Sequence, residues 1–390
     1  MSRYPRCGTS TRRQWLGQLS AAAAALGAPA LLRANAAPAA PVAIAKCRDY
    51  GREVLPALDR LFDQLGGLGR IVKGKTVAMK VNLTGQPWMR MGHTPQELAQ
   101  WTHPDVIGAT VHLMFKAGAR RVRILESAWN TADPIEEYIL EAGWDPSLIL
   151  GAGPRVEFEN TNFLGSAKEY SRFLVPGGGY IYKGFDLNHS YEDCDVFVSM
   201  AKLKDHATTG VTLSMKNCFG ITPCTIYGDG AGEDEPSRFP KGGRGSVFHS
   251  GHRQPSASAF PENDPTTPRE GHYRVPRIVV DLVTARPIDL AIIDGVHSMA
   301  GGEGPWIRGP IRPISPGLLL AGTNCVTTDA VSTAVMGYDP MADRGAPPFE
   351  RCDSTLRLAE DRGLGTRDLK RIEVRGMPIR EAVFPFRTAG

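Results

Sequence analysis

The sequence has 390 residues, 42% hydrophobic and 22% charged, which is enough to bury one large core or two modest ones. Its formal net charge of +4 comes from the first 36 residues, which hold five arginines and no acidic residue. Removing those five from the 45 basic residues leaves 40 against 41 acidic residues, so the rest of the chain is nearly neutral and a nucleic-acid partner loses its support.

The first 36 residues have the pattern of a twin-arginine secretory signal. Arg12 and Arg13 directly precede an alanine-rich apolar segment, and residues 34–36 supply the small side chains that a signal peptidase requires. The apolar segment is short, which argues against a stable membrane anchor after cleavage. An amphipathic helix is the alternative, but residues 17–32 carry no charge. We therefore expect recognition by the twin-arginine export machinery, cleavage after Ala36, and a periplasmic or secreted protein.

From residue 42 onward, strand-like and helix-like segments alternate, which is typical of an α/β fold. The apolar runs predict strands at residues 42–45, 76–81, 121–125, 196–198, 288–293, 317–321 and 372–374. Residues 155–183 are less periodic and predict an irregular or antiparallel excursion. We predict a single α/β domain over residues 37–390, with a mixed, mainly parallel sheet flanked by helices.

Residues 225–275 differ from their surroundings because they are rich in glycine, proline and serine. A loop insertion this long is usually a lid, a partner-binding loop or a disordered segment. His249 and His252 have the spacing of a chelating pair, but two solvated histidines are the more economical interpretation on a glycine-rich loop.

The densest group of polar residues follows the apolar run at residues 196–198. It consists of Lys202, Lys204, Asp205 and His206. Residues 208–210 then resemble a helix start, because a threonine hydroxyl can accept from free backbone N–H groups. The predicted helix carries Ser214, Lys216 and Asn217. Ligands in open α/β sheets bind outside the carboxyl ends of strands, beside helix N-termini, so we expect a site here. A charged surface turn is the alternative.

Other predicted strands and helices deliver polar side chains to the same edge of the sheet. Lys80 and Asn82 follow the strand at residues 76–81, and His103 lies at the mouth of the next helix. For Lys80, a position that lines the site and an outward, solvated position are equally compatible with the sequence. The remaining candidates follow later strands or open later helices: Glu126, Asp294, Gly304 and Asp329.

The seven cysteines show no spacing of a zinc or iron–sulfur site, so the sequence contains no iron–sulfur cluster motif. An oxidising destination allows a disulfide, but a domain of this size does not need one, and we expect at most one. Because twin-arginine export often carries proteins that acquire a cofactor before crossing, a divalent metal ion is a candidate ligand; the cofactor itself stays unknown.

Six motifs carry a resemblance to a known family: MKVNL (79–83), THPDVI (102–107), AKLKDH (201–206), SMKNCFG (214–220), IIDGVHSMAGGEGP (292–305) and AGTNCVTTDAVSTAVMGYDP (321–340). In this order they resemble the family catalogued as domain of unknown function 362. The resemblance implies an α/β fold and no particular reaction. Some relatives carry ferredoxin-like cysteine clusters, which this sequence lacks. The family often has an acid at the position of Asn324, which leaves Asp329 as the only carboxylate of that helix start.

These residues support two hypotheses, which share one cleft and one set of side chains. The first is an enzyme acting on a small anionic or metal-bound substrate; the alternative is a periplasmic protein that binds or delivers an anion or metal without catalysis. The predicted catalytic residues are His206, Lys204, Lys216, Asp205 and His103. The predicted substrate ligands are Lys80, Asn82, Lys202, Ser214, Asn217, Asp294 and Gly304. The candidate metal ligands are Glu126, Asp294 and Asp329. An electron-transfer protein would need cofactor ligands that the sequence does not offer.

Overall fold

The computed structural model describes residues 37–163 and 170–387, so the predicted signal at residues 1–36 lies outside the described residues. The strands of the described segments are β1 (Val42–Lys46), β2 (Thr76–Lys80), β3 (Arg121–Glu126), β4 (Val156–Asn160), β5 (Ser171–Leu174), β6 (Gly184–Leu187), β7 (Val196–Lys202), β8 (Asp205–His206), β9 (Gly210–Val211), β10 (Leu290–Gly295), β11 (Ser298–Ala300), β12 (Arg312–Ile314), β13 (Leu318–Gly322) and β14 (Val374–Gly376).

The α-helices of the same segments are α1 (Val54–Gln64), α2 (Gly69–Val72), α3 (Pro104–Lys116), α4 (Ile135–Glu141), α5 (Pro146–Leu150), α6 (Leu213–Asn217), α7 (Cys224–Tyr227), α8 (Gly271–Ala285), α9 (Cys325–Val335), α10 (Thr355–Asp361) and α11 (Ile379–Ala382). None of these helices is long and apolar enough to cross a membrane.

Eight strands form the main sheet, in the order β14-β1-β13-β10-β7-β2-β3-β4. Strands β10, β7, β2, β3 and β4 are mutually parallel, whereas β13 runs antiparallel to both of its neighbours. This mixed, mainly parallel sheet with flanking helices confirms the predicted α/β fold. Every residue of β7 is buried, which explains its continuous apolar sequence.

Side chains that alternate along each strand pack into two separate cores. In β1, Val42 and Ile44 belong to the core that contains α8 and α9, whereas Ala43 and Ala45 belong to the core under α1 and α3. Helices therefore cover both faces of the sheet, in three layers.

The sheet has a topological switch point between β2 and β7. The chain continues from β2 to β3 and β4 on one side, and from β7 to β10 on the other. Connections that leave in opposite directions open a crevice at the carboxyl ends of the two strands, which is where ligands of such sheets bind. Lys80 ends β2 and Lys202 ends β7, so the fold brings the strongest sequence motifs to this crevice.

Several local predictions were wrong. Residues 208–210 do not start a helix. They belong to the hairpin formed by the antiparallel strands β8 and β9, each two residues long. Helix α6 begins only at Leu213, whose φ is +46°. The less periodic segment after residue 155 contains β4, a parallel strand of the main sheet, before the antiparallel β5–β6 hairpin.

The glycine-rich insertion is folded rather than structureless. It contains α7 and a π-helical turn at Gly245–His249, and its end forms the start of α8. A fully buried ion pair, 2.7 Å long, ties Glu262 in the middle of the insertion to Arg274 in the first turn of α8. The segment therefore supplies a fixed wall for the crevice at the switch point.

Candidate functional site

A buried ion pair forms the floor of the crevice. The Nζ of Lys80 lies 2.7 Å from Glu126 Oε1 and also donates to the carbonyl oxygen of Val81 (2.6 Å) and to Asn217 Oδ1 (3.1 Å). An ammonium has three N–H donors, and all three are used here. Burial lowers the pKa of Lys80, and the Glu126 carboxylate opposes that shift. Lys80 thus lines the crevice with its charge already compensated.

Asn217 ties helix α6 to the ends of β2 and β7. Its Oδ1 also accepts from Asn82 Nδ2 (3.0 Å), and its Nδ2 donates to Ser199 Oγ (3.0 Å). Asn82 is 6% exposed, and its Oδ1 finds no hydrogen-bond partner among the described residues. Because a buried unsatisfied acceptor is costly, this oxygen is a candidate acceptor for a bound molecule.

Two lysines face the crevice without a carboxylate at ion-pairing distance among the described residues. Lys204 Nζ donates only to the backbone oxygen of Glu303 (2.9 Å), and Lys216 Nζ lies 4.1 Å from the centre of the Phe219 ring. Burial, followed by the repulsion of other nearby cations, lowers the pKa of each lysine to about 7, although the Glu303 carboxylate opposes the shift. Each of these two amines is therefore partly deprotonated near neutral pH.

Two histidines lie beside these lysines. Burial, and then the charges of Lys216 and Lys204, lowers the pKa of His206 well below its usual value. The same causes, burial before Lys216, lower the pKa of His249 to about 4. The backbone N–H of Thr208 donates to His206 Nδ1 (3.1 Å), so the proton of the neutral ring is on Nε2. His206 is therefore a hydrogen-bond donor at this site.

These groups line a cavity of about 430 Å³, hereafter the lysine cavity. Aromatic side chains of Trp129, Trp306 and Phe219 form part of its wall, and Arg244 and His249 come from the folded insertion. A cavity of this size is at the small end of ligand pockets. The predicted site residues that line it are Lys80, Asn82, Glu126, Lys204, His206, Lys216 and Asn217.

A second group of side chains, hereafter the closed cluster, contains Lys202, Asp294 and Tyr50. Lys202 and Asp294 are predicted substrate ligands, but they lie in this cluster and not in the lysine cavity. Lys202 Nζ donates to Asp294 Oδ2 (3.0 Å), Tyr50 Oη (2.9 Å) and the carbonyl oxygen of Glu97 (2.8 Å), and both charged side chains are fully buried. Burial lowers the pKa of Lys202, while Asp294 opposes the shift. Neither Lys202 nor Asp294 lines the lysine cavity.

His103 belongs to this closed cluster as well. Its ring stacks on Tyr50, with centroids 3.5 Å apart, and its Nδ1 accepts from the backbone N–H of Asp105 (3.1 Å) at the start of α3. Burial, and then the charge of Lys202, lowers its pKa to about 4. The structure thus uses His103 as a helix cap and does not bring it to the lysine cavity.

Ser214 and Asp329 contact each other beneath the cavity. Asp329 accepts from the backbone N–H of Ser214 (2.9 Å), from its hydroxyl (2.6 Å) and from the N–H of Met215 (2.9 Å). Burial raises the pKa of Asp329 to about 7. The carboxylate therefore satisfies the first turn of α6, and neither side chain lines the lysine cavity.

Asp205 and Gly304 do not line the lysine cavity. Asp205 accepts from Tyr338 Oη (2.9 Å) and from the backbone N–H of Gly301 (2.8 Å), and it lines a separate cavity of about 920 Å³. A Cβ on Gly304 would lie 2.2 Å from the Trp306 ring, so glycine permits that ring to pack there. His206 lines both cavities.

The candidate metal ligands Glu126, Asp294 and Asp329 lie at three separate places. Each accepts hydrogen bonds from a different lysine, hydroxyl or backbone group. Within residues 37–163 and 170–387 no three His, Cys, Asp or Glu side chains form a group that could hold a metal ion. The six cysteines of these segments are free thiols.

Sequence reasoning missed several residues of the lysine cavity. Arg244 was not singled out, and His249 was interpreted as solvated, although it is largely enclosed in the cavity wall. Trp129 and Trp306 were also missed. One available signal was that Trp306 directly follows the glycine-rich motif at residues 292–305.

The chain belongs to the family described as Domain of unknown function (DUF362), whose model matches residues 77–334. That match contains the strands of the switch point and every candidate residue from Lys80 to Asp329. A more particular similarity is to the "Thylakoid-associated protein sll1697" of Synechocystis sp. (strain ATCC 27184 / PCC 6803 / Kazusa). The two are 25% identical over 288 residues, which cover 74% of this chain and 71% of the relative. No solved structure matches the chain.

Proposed function

We propose that this protein is an enzyme that binds a small organic anion in the lysine cavity and uses a lysine amine for proton transfer. One observation carries the proposal: the buried Lys204 and the partly buried Lys216 face a cavity of about 430 Å³ without a compensating carboxylate at ion-pairing distance in the described segments. Buried cations that lack a partner are costly, and a bound anion would offset that cost.

The charges around the cavity favour an anion over a cation. Lys80 and Glu126 neutralise each other, and the Glu303 carboxylate is held by the backbone N–H of Ala207 (2.9 Å). The third carboxylate of the cavity, Asp229, accepts from the backbone N–H (2.6 Å) and the hydroxyl (2.7 Å) of Ser246. Lys204 and Lys216 then face the cavity with Arg244, whose guanidinium also donates to the carbonyl oxygen of Thr222. Aromatic side chains form part of the wall, and a wall of low polarity strengthens interactions between charges beside it.

Catalysis is favoured over simple binding because of the pKa of the two lysines. A general acid or base is most effective when its pKa lies near the working pH, and both amines have a pKa of about 7. An ordinary lysine would stay protonated at neutral pH and contribute only its charge. The two histidines have pKa values too low to compete for the proton. Lysine is therefore the proton carrier of this site.

Isothermal titration calorimetry with inorganic phosphate and pyruvate tests the binding part. Because an anion favours the protonated lysines, binding at pH 7.5 should take up protons, seen as a heat that changes with the ionisation enthalpy of the buffer. Lys216→Met should lose most of the affinity and the proton uptake. Lys116→Met is the matched control, since the Lys116 side chain is 63% exposed and distant from the cavity. Equal affinities for both variants would contradict the proposal.

A periplasmic binding or delivery protein is the alternative function. The Lys80–Glu126 pair supports this alternative. The Glu126 carboxylate is paired with Lys80 and accepts from the backbone N–H of Leu83, so it is not free to act as a catalytic base. The two functions differ in the fate of the ligand. Incubation of a bound anion with the protein, followed by proton NMR, should show conversion for the enzyme and an unchanged spectrum for the binding protein.

The site of action proposed for the protein is the periplasm or the exterior, reached through the twin-arginine route. Arg12 and Arg13 before an uncharged apolar segment support this location. Changing both arginines to lysine should keep the protein in the cytoplasm, as measured by cell fractionation. The exported wild type should begin at Ala37 on N-terminal sequencing. Export of the double variant, or an uncleaved N-terminus, would contradict the assignment.

A further inference from the structure

We propose that the amine of Lys216 condenses with the carbonyl carbon of a small 2-oxo acid, forming an imine in the lysine cavity. This inference rests on the proposed function and names its substrate class. It requires one lysine with an available amine and neighbouring cations that hold a carboxylate. It also requires walls that keep water away from the C=N bond.

Lys216 is the lysine whose nitrogen is free to react. Lys80 and Lys202 each donate to three acceptors, and Lys204 donates to one. Within the described segments, Lys216 Nζ makes no hydrogen bond or ion pair and rests on the face of Phe219. A neutral amine attacks through its lone pair, and Lys216 is the lysine of this cavity whose nitrogen is not held in place by hydrogen bonds to the described residues.

The neighbours of Lys216 suit a carboxylate next to the reacting carbonyl. Lys204 and Arg244 line the same cavity and supply positive charge from two sides. His206 is neutral and carries its proton on Nε2, so it can donate to a carbonyl or hydroxyl oxygen. The volume of about 430 Å³ is sufficient for a short oxo acid.

The condensation is balanced without an oxidant or reductant. The amine lone pair forms the C–N bond while the carbonyl π electrons move to oxygen, and a proton passes from nitrogen to that oxygen to give a carbinolamine. The nitrogen lone pair then forms the C=N bond, and the hydroxyl leaves with one further proton as water. The low pKa of Lys216, about 7, keeps a substantial fraction of the amine neutral for the first step.

Reductive trapping tests the proposal with the intact protein. Pyruvate and sodium borohydride should add the mass of one reduced pyruvate adduct, which peptide mapping should locate at Lys216. The adduct should depend on both reagents, and its yield should rise as the pH increases through 7. Lys216→Arg cannot condense, so it should lose the adduct, whereas the control Lys116→Met should form it in full yield.

The outcomes separate this inference from the proposed function. Absence of an adduct in a protein that still binds phosphate with proton uptake would overturn the imine and leave the anion site intact. Absence of both would overturn the proposed function as well. An adduct on Lys204, or equal labelling of the exposed Lys116, would overturn the assignment to Lys216.

Discussion

The lysine cavity and the closed cluster differ in how the charge of a buried lysine is compensated. Lys204 of the cavity and Lys202 of the cluster lie only two residues apart in the sequence. Lys202 and Lys204 are both almost completely buried, at 0% and 1% exposed. Lys202 has Asp294, Tyr50 and a backbone oxygen as partners, whereas Lys204 has one backbone oxygen. Burial by itself therefore does not identify a functional lysine. The compensation of its charge does: Lys202 is paired with Asp294, whereas Lys204, which lines the lysine cavity, has no carboxylate at ion-pairing distance among the described residues.

The alternation of side chains along the strands explains why the two regions separate. In β7, Val196, Val198 and Met200 pack into the core under α1 and α3, and Lys202 continues that face. In β2, Ala78 packs into the opposite core, and the side chain of Lys80 lies on the same face of the strand as Ala78. Lys80 and Lys202 end neighbouring strands but leave the sheet on opposite faces.

The largest expected effect comes from breaking the closed cluster with Lys202→Met. This change leaves Asp294 buried without a cationic partner, and removing one member of a buried pair costs about 3–5 kcal/mol. Equilibrium urea unfolding measures the loss. Lys202→Met/Asp294→Asn should recover part of it, because the double variant buries no unpaired charge. A loss below about 1 kcal/mol would mean that the pair is not structural.

Gly304→Ala perturbs the lysine cavity instead, with a smaller expected cost. The new Cβ would lie 2.2 Å from the Trp306 ring, so the ring must move, and overpacking of this kind costs about 1–3 kcal/mol. Because Trp306 lines the cavity, anion affinity should fall together with the change in tryptophan fluorescence. Gly309→Ala is the control, since its Cβ would meet no atom within 4 Å. Unchanged anion affinity in Gly304→Ala would remove Trp306 from the binding wall.

The sheet could be predicted from the sequence because its signals are local. The apolar runs of Thr76–Lys80 and Leu290–Gly295 are short and end in polar residues, which marks both the strand and the edge where ligands bind. The convergence of Lys80, Lys204 and Lys216 on one cavity follows from that edge. The family resemblance places the same motifs in order but assigns them no reaction.

The pairing state of each lysine could not be predicted, because it depends on distant partners. Asp294 lies 92 residues from Lys202, and Tyr50 lies 152 residues away. Nothing local distinguishes Lys202 from Lys204. The wall formed by Arg244 and His249 could not be predicted either. A glycine-rich segment without periodicity is typical of a loop. Nothing in its sequence indicates the buried Arg274–Glu262 pair that holds it to α8.

The pH dependence of stability sharpens the comparison further. The folded pKa of Lys204 and Lys216 is about 7, below their ordinary value, so above pH 7 the unfolded chain binds more protons than the folded one. The free energy of unfolding should therefore rise from pH 7 to 8.5, by on the order of 1–2 kcal/mol for each lysine. Below pH 7 both lysines are charged in both states, so this contribution stays at its lowest value.

Urea unfolding at several pH values between 7 and 8.5 measures this slope. Buried thiols, whose pKa folding raises, lower stability as pH approaches their ordinary pKa of about 8.5, so the lysine contribution is taken as the difference between the wild type and each lysine variant. Lys204→Met and Lys216→Met should each remove about half of the lysine-dependent slope. Lys116→Met should retain it, because its ammonium is mostly exposed. Equal slopes in the wild type and in both lysine variants would show that the two lysines are not buried as cations.

The smallest expected effect separates His103 from the chemistry of the lysine cavity. His103→Ala removes the acceptor for the Asp105 N–H, and loss of such a cap costs about 0.5–2 kcal/mol. His103→Asn restores a side-chain acceptor and should regain most of that stability in urea unfolding, apart from the stacking on Tyr50. Both variants should bind phosphate with wild-type affinity, because His103 does not line the cavity. Loss of phosphate binding in His103→Asn at wild-type stability would instead couple the closed cluster to the lysine cavity, and the two regions would then form one site.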